Sequence, residues 1–336
     1  MVDSLVFVAV ESFLISLVVC LLVLPSYIRK AKQVSITGLD IHKPNVPAIA
    51  ECGGVILILA YLIGLFFFIP FIGDMLNADT LNAEIIGTAA TVLLAAFVGF
   101  IDDIYETRWR IKVLTPLLGG IPLAVLRLAR PTLQTPFGIL DFTKSGPLGL
   151  AGEIFFFIIL LPVVVTACAN AVNMFAGLNG LEAGSCAIMA LALLALAVRE
   201  NKPEGYIILT PFLGALLAFL FFNKYPSKIF PGDVGTFGMG AVIACAAILA
   251  DLERAAFIMF IPYMINAVLF FIGKLKRVPP PREAQMNPDG TLPAPSIWSL
   301  RSIILRIHPM KEKTLVYTML LIVALFAVAG TLAYGA

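Results

Sequence analysis

Two adjacent carboxylates, Asp102 and Asp103, end an apolar run, and the bases Arg108, Arg110 and Lys112 follow closely. At a helix C-terminus such a pair meets the negative end of the helix dipole, and each acid repels the other. A positive group must offset this, either a bound cation or one of the downstream bases. An ordinary wetted helix end carries the same charges, so the pair alone does not separate chemistry from solvation. A second cluster is harder to place in an apolar setting. Asn170, Asn173, Asn179 and Glu182 lie among Gly177, Gly180 and Gly184. Amides at membrane depth are costly unless paired. Asn170 and Asn173 are three apart and share a helix face, while the glycines permit sharp turns and close backbone approach. Interhelical hydrogen bonding explains one asparagine well and the whole cluster poorly. A third motif is Phe230-Pro231-Gly232-Asp233, where Asp233 opens another apolar run. Asp233 could simply cap that helix. Beside the asparagines it also supplies the hard oxygen that Mg2+ prefers, at a helix end that favours a nearby anion.

Hard oxygen ligands, a carboxylate pair and scattered Lys and Arg suit a diphosphate held through Mg2+, with Mn2+ as the alternative ion. The chain has no Gly-x-x-x-x-Gly-Lys-Ser/Thr loop, which disfavours an ATP-driven machine. A transporter would place its polar residues near the bilayer midplane on broken helices. Here they fall at segment boundaries, which favours an enzyme. A lipid or nucleotide-sugar transporter and a non-catalytic scaffold remain as rivals.

These motifs need a scaffold that holds them at one level. The chain has 336 residues, 60% hydrophobic and 13% charged, with mean hydropathy +0.99. A soluble protein of this length carries about a quarter charged residues, so the excess apolar surface must face lipid. The expected fold is all-α and polytopic, with about ten transmembrane helices near 4–28, 53–73, 85–101, 113–129, 151–169, 183–198, 207–222, 234–251, 256–273 and 314–334. The first span carries Glu11 and lacks a basic leader, so it reads as a span and not as a signal peptide. The whole of 1–336 reads as a single transmembrane catalytic domain, with loops at 29–52, 102–112, 170–182, 223–233 and 274–313 on one face. Of the 23 Lys and Arg, 17 fall on that face and 6 on the other, which makes it cytoplasmic. Plasma membrane is the expected location, with no nucleic-acid partner.

The long loop 274–313 carries Asp289-Gly290, a turn signal with extended flanks that predicts a cytoplasmic hairpin. Residues 296–308 read as an interfacial amphipathic helix, with Trp298 and arginines suited to the headgroup zone. His42 and His308 read as isolated surface residues. The five cysteines lack metal-site spacing and read as small packing residues.

Three segments carry a family resemblance: Asp102–Lys112 (DDIYETRWRIK), Asn170–Gly184 (NAVNMFAGLNGLEAG) and Phe230–Asp233. They resemble the polyprenyl-phosphate N-acetylhexosamine-1-phosphate transferases, most closely the eukaryotic and archaeal dolichyl-phosphate GlcNAc-phosphotransferases. The bacterial muropeptide transferases carry an aspartate where Asn179 stands. The resemblance implies transfer of GlcNAc-1-phosphate from UDP-GlcNAc to a polyprenyl (dolichyl-type) phosphate, giving GlcNAc-diphospho-lipid and UMP, and it implies a homodimer. It casts Asn173 and Asp233 as Mg2+ ligands, and Asn179, Phe230 and the backbone near Leu39 and Ile41 as holding the uridine. Lys112 and Arg282 would hold the diphosphate. Trp109, through its backbone, and Glu51 would lie near the sugar and pyrophosphate. Asp102 and Asp103 are the candidate base or orienting groups. The family has an Arg-His-Arg run where this chain has Pro280-Pro281-Arg282, which leaves another UDP-HexNAc donor open.

Overall fold

A computed structural model describes residues 2–73, 78–105, 108–276, 286–294 and 296–334. Arg282 lies outside them. The chain begins with α1 (Val2–Gln33) and a two-stranded ribbon, β1 (Thr37–Leu39) and β2 (Ala48–Ala50), in which Leu39 faces Ala48. It continues through α2 (Gly54–Phe67), the short α3 (Ile69–Ile72), α4 (Ala78–Tyr105), α5 (Trp109–Leu114) and α6 (Leu117–Leu126). A second ribbon, β3 (Thr132–Thr135) and β4 (Gly138–Asp141), precedes α7 (Gly149–Phe155), a π-helical stretch (Phe156–Leu160) and α8 (Leu161–Phe175). Then follow α9 (Leu181–Arg199), α10 (Pro203–Asn223), α11 (Gly232–Leu249), α12 (Glu253–Met259), α13 (Ile261–Leu275), α14 (Leu300–Ile307) and α15 (Glu312–Ala333).

Among the described residues nine spans are long and apolar enough to cross a membrane, and ten if the bent pair α12–α13 counts as one. This is an integral multi-pass membrane protein, and each expected span has its counterpart. The bend of 54° between α12 and α13 falls just before Pro262, whose missing N–H and ring interrupt the helical ladder.

The helix α11 is the axis of the bundle. It is 89% buried, against 28% for α1 and 33% for α15, so the outer helices present their apolar faces to lipid. Without a hydrophobic drive between helices in a bilayer, close packing relies on small residues. A methyl added at Gly54 of α2 would strike the Gly235 backbone, and one at Gly99 of α4 would strike the Asp233 carbonyl. The N-terminus of α11 is thereby pressed against α2 and the last turns of α4.

Two differences from the sequence reading concern the loops. The Asp289-Gly290 turn forms, with Gly290 at φ +80° and the Asn287 N–H donating to the Thr291 carbonyl at 2.8 Å. No strand flanks it among the described residues. Ribbons form instead in the loop 29–52, across residues 40–47, and after α6, across the two-residue turn Pro136-Phe137. The amphipathic helix is α14, shorter than expected because Ser299 caps it by accepting from the Ser302 N–H.

Candidate functional site

Asp233 is the hub. One of its carboxylate oxygens accepts from the Asn173 amide, and the other pairs with the Lys112 ammonium. Lys112 also meets Asp102 at 2.7 Å, so one ammonium sits between two carboxylates. The Asn173 amide reaches the Thr236 hydroxyl as well, at 2.9 Å. Four helices deliver these groups: Asp102 from α4, Lys112 from α5, Asn173 from α8, Asp233 and Thr236 from α11.

The two adjacent aspartates have different tasks. Asp103 accepts from the backbone N–H groups of Asp233 at 2.7 Å and Val234 at 3.0 Å. It caps α11 from another helix, so the positive end of one dipole stabilises the acid at the negative end of the other. Gly232, at φ +68°, has no room for a side chain because a Cβ there would lie 2.6 Å from the Asp103 carboxylate. Asp102 faces the cluster. The base that offsets the pair is Lys112, and Asp103 is offset by a helix end that only the fold brings near.

A cavity of about 370 Å³ opens beside Asp233, lined by Leu39, Asp40, Ile41, His42, Glu51, Asn173, Asn179, Phe230, Asp233 and Arg301 among others. Six of the residues assigned above to substrate or metal are therefore neighbours of Asp233 on one wall or another. The ribbon and the 229–231 segment build its rim together: the Phe230 N–H donates to the Ala50 carbonyl at 2.8 Å and the Gly53 N–H to the Phe230 carbonyl at 2.9 Å. This added pairing brings Leu39 and Ile41 to face Phe230 across the opening. Asn179 is held by both ends of its amide. It donates to Asp40 at 3.2 Å and accepts from the Ser227 N–H at 2.8 Å, leaving its second amide N–H for a ligand.

A second cavity, about 340 Å³, is lined by Trp109, Lys112, Asn170, Asn173, Asn266, Phe270 and Arg301 among others. Trp109 belongs here and not with Glu51, because α5 packs across the open side of α8. Asn170 donates to the Val113 and Thr166 carbonyls, both at 3.0 Å. That amide is a strut between helices, as one asparagine of the cluster was expected to be.

Two residues escaped the sequence reading. His42 lines the first cavity and is not an isolated surface group. Burial, then the nearby Arg301 charge, brings its pKa down to about 4, so the imidazole is neutral. Arg301 lines both cavities, although its position in an amphipathic helix gave only a headgroup signal. Burial pushes the Cys52 thiol up to about 12, helped by Asp103 and Glu51. It stays protonated and is no nucleophile.

Which side chains could hold a cation? Asp102, Asp233, Asn173 and Thr236 all carry hard oxygens; the two acids share one ammonium, and the amide links Asp233 to Thr236. A flip of the Asn173 amide presents its oxygen in place of its N–H2. This donor set fits a divalent ion of the Mg2+ kind. Asp40, His42 and Glu312 also have ligand atoms within 4.8 Å of one another. There Lys43 pairs with both acids, at 3.2 Å to Asp40 and directly to Glu312, so an ammonium already occupies the space between them.

Comparison with known proteins places the chain in a family. Residues 85–251 match the model of glycosyl transferase family 4. A protein of Saccharolobus solfataricus is 32% identical over 91% of this chain and 90% of its own length. It bears the provisional name UDP-N-acetylglucosamine–dolichyl-phosphate N-acetylglucosaminephosphotransferase. The Dictyostelium discoideum protein of that name is 27% identical over 91% of this chain and 83% of its own. The phospho-N-acetylmuramoyl-pentapeptide-transferase of Streptococcus uberis is 29% identical over 77% and 78%. The chain belongs to glycosyl transferase family 4, the polyprenyl-phosphate N-acetylhexosamine-1-phosphate transferases.

Proposed function

We propose that the protein transfers GlcNAc-1-phosphate from UDP-GlcNAc to a polyprenyl phosphate of the dolichyl type, releasing UMP and opening the assembly of a lipid-linked oligosaccharide. The observation that carries this is the convergence of Asp102, Lys112, Asn173 and Asp233 at the wall between two cavities, in a chain whose relatives bear that activity in their names.

The first cavity takes the nucleotide. Its rim of Leu39, Ile41 and Phe230 offers apolar surface to a base, and Asn179 offers a donor. Asn173 and Asp233 would hold Mg2+, with Asp102 within reach. When bound, that ion supplies charge neutralisation on the diphosphate and the leaving UMP. Lys112 adds a second positive charge at the same level, and Trp109 and Asn170 lie on the acceptor side in the second cavity. An oxygen of the lipid phosphate attacks the sugar-bearing phosphorus in line. The new P–O bond forms as the bond to the bridging oxygen breaks, and UMP leaves with that electron pair. A phosphate monoester has its second pKa near 6, so the nucleophile is largely a dianion at neutral pH and needs no strong base. Asp102 then orients Lys112 and does not take a proton. The excess of Lys and Arg at this end of the bundle supports a cytoplasmic site, and plasma membrane is the proposed location.

The test is purified protein with Mg2+, a polyprenyl phosphate and UDP-GlcNAc labelled in the sugar-bearing phosphate. Label should move into extractable lipid while UMP accumulates. Release of UDP with unlabelled lipid would mean plain sugar transfer, and counter-transport into vesicles without chemistry would mean a transporter.

A further inference from the structure

Arg301 stands where the two cavities meet. Among the described residues, Asn173, Ala176 and Arg301 are the ones that line both. Its backbone is well fixed. The Leu300 N–H donates to the Asn266 amide oxygen at 3.0 Å, and the same amide donates to the Met174 carbonyl at 2.8 Å. Through Asn266, α14 is therefore tied to the end of α8 that carries Asn173. Ser302 and Leu305, both buried, pin the next turn.

The side chain is poorly satisfied. A guanidinium has five N–H donors in a planar fork. Its recorded acceptor is the Gly177 carbonyl at 3.5 Å, at the outer limit of a hydrogen bond. Burial draws its pKa down from the ordinary arginine value, with only the nearby Glu182 opposing that shift. His42, on the same cavity wall, is neutral. Partly exposed where the two cavities meet, the fork keeps donors available to an anion bound there.

We infer that Arg301 is a phosphate-binding residue of this site, whose fork grips the sugar-bearing phosphate of the bound nucleotide diphosphate where the nucleoside cavity opens into the second. This rests on the transferase reading above and adds to Lys112 a second basic group, carried on α14. During transfer that phosphorus gains a bond to the lipid phosphate oxygen and loses its bond to the bridging oxygen. Its remaining oxygens keep their negative charge throughout, and a planar fork can meet two of them at once.

Binding, measured by calorimetry with Mg2+ and no lipid acceptor, tests the inference apart from turnover. UMP lacks the phosphate in question and UDP has it. Arg301→Gln should weaken UDP by about tenfold, the scale of one charge-assisted pair, and leave UMP within about twofold of wild type. Arg301→Lys should fall between, since it keeps the charge and loses the fork. Equal weakening of UMP and UDP, with a lowered melting temperature, would make Arg301 a strut for the Gly177 loop and overturn the assignment. Unchanged binding of both nucleotides would overturn it too, while leaving the transferase reading intact. A wild-type protein that binds neither nucleotide would overturn that reading and this inference together.

Discussion

Both ends of the bundle set an aspartate at a helix terminus among basic side chains, in different surroundings. At the far end Asp251 follows α11 and meets Lys202 at 2.8 Å and Arg130 at 3.3 Å. Glu84, Glu204 and Glu253 lie close by, and Arg130 is 77% exposed. At the near end Lys112 faces two acids, Asp102 and Asp233, and the cluster borders two cavities. Asp251 lines neither of them. The far cluster borders neither cavity, and Arg130 carries its charge out to water. The near one sets two carboxylates, an amide and a hydroxyl beside two cavities, an oxygen-rich set that suits a cation and its phosphate ligand. Composition does not distinguish the two; the cavities do.

The widest separation should come from the matched pair Asp233→Asn and Asp251→Asn. Removing one hard ligand and one partner of Lys112 should cut label transfer to lipid by about 1,000-fold, since metal and electrostatic contributions to phosphoryl transfer run to several kcal/mol. Chelation with EDTA should abolish transfer in the wild type, and Mg2+ should restore it. Asp251→Asn should stay within about threefold in activity, because Asp251 lines neither cavity; its loss should show instead as a lower melting temperature, since it is buried beside Lys202. Comparable losses in the two variants would erase the distinction between the ends.

Within the near end, Asp102 and Asp103 should separate next. Asp103→Asn leaves one of the two capped N–H groups facing an amide N–H2. It should lower stability by about 1–2 kcal/mol, seen as a lower melting temperature, and reduce transfer by displacing Asp233. Asp102→Asn should keep its melting temperature and retain transfer above pH 7, where the lipid phosphate is already ionised. Loss at every pH with donor binding intact would give Asp102 the proton-abstracting role. A smaller effect is expected of Asn179→Asp. The new carboxylate would oppose Asp40 across the 3.2 Å contact, raising the KM for UDP-GlcNAc by about tenfold with little change in kcat. A fall in kcat at constant KM would move Asn179 from the nucleoside to the reaction centre.

What the sequence allowed and withheld follows from range. The spans were legible because bilayer thickness imposes a length and polarity rule on each segment separately. Asn173 and Asp233 stood out because an amide or acid in an apolar run needs a reason. The division of labour in Asp102-Asp103 was not legible, since the group that Asp103 caps, the α11 N-terminus, is 130 residues further on. Arg301 was hidden for a related reason: an arginine on an amphipathic helix reads equally well as a headgroup anchor, and only the Asn266 link to α8 turns it inward. The bend before α13 had a signal in Pro262 that apolar continuity across 256–273 masked. The ribbon at 132–141 follows α6 in a short segment whose Pro136-Phe137 turn resembles any loop.

The smallest expected effect concerns His42, which lines the first cavity beside the Asp40–Lys43–Glu312 network. Arg301 and Lys43 face it with positive charge and Asp40 with negative; burial, the largest cause, acts with the two bases and against Asp40 to lower its pKa from 6.5 to about 4. The folded protein therefore prefers the neutral ring more than the unfolded chain does. That contribution to stability is complete above pH 6.5 and shrinks as the pH falls toward 4, because the unfolded chain takes up the proton first. Melting temperatures of wild type and His42→Gln, followed from pH 7 to pH 4 in one detergent, should diverge on the acid side, with the wild type losing more. Across pH 6.5–8 the two should run parallel, and the pH profile of transfer should be unchanged, because a neutral histidine carries no charge to the diphosphate in that range. Parallel acid limbs would mean that His42 is hydrated like the exposed Arg130 of the far end. The contrast between an end that borders the cavities and one that does not would then lose its support at His42.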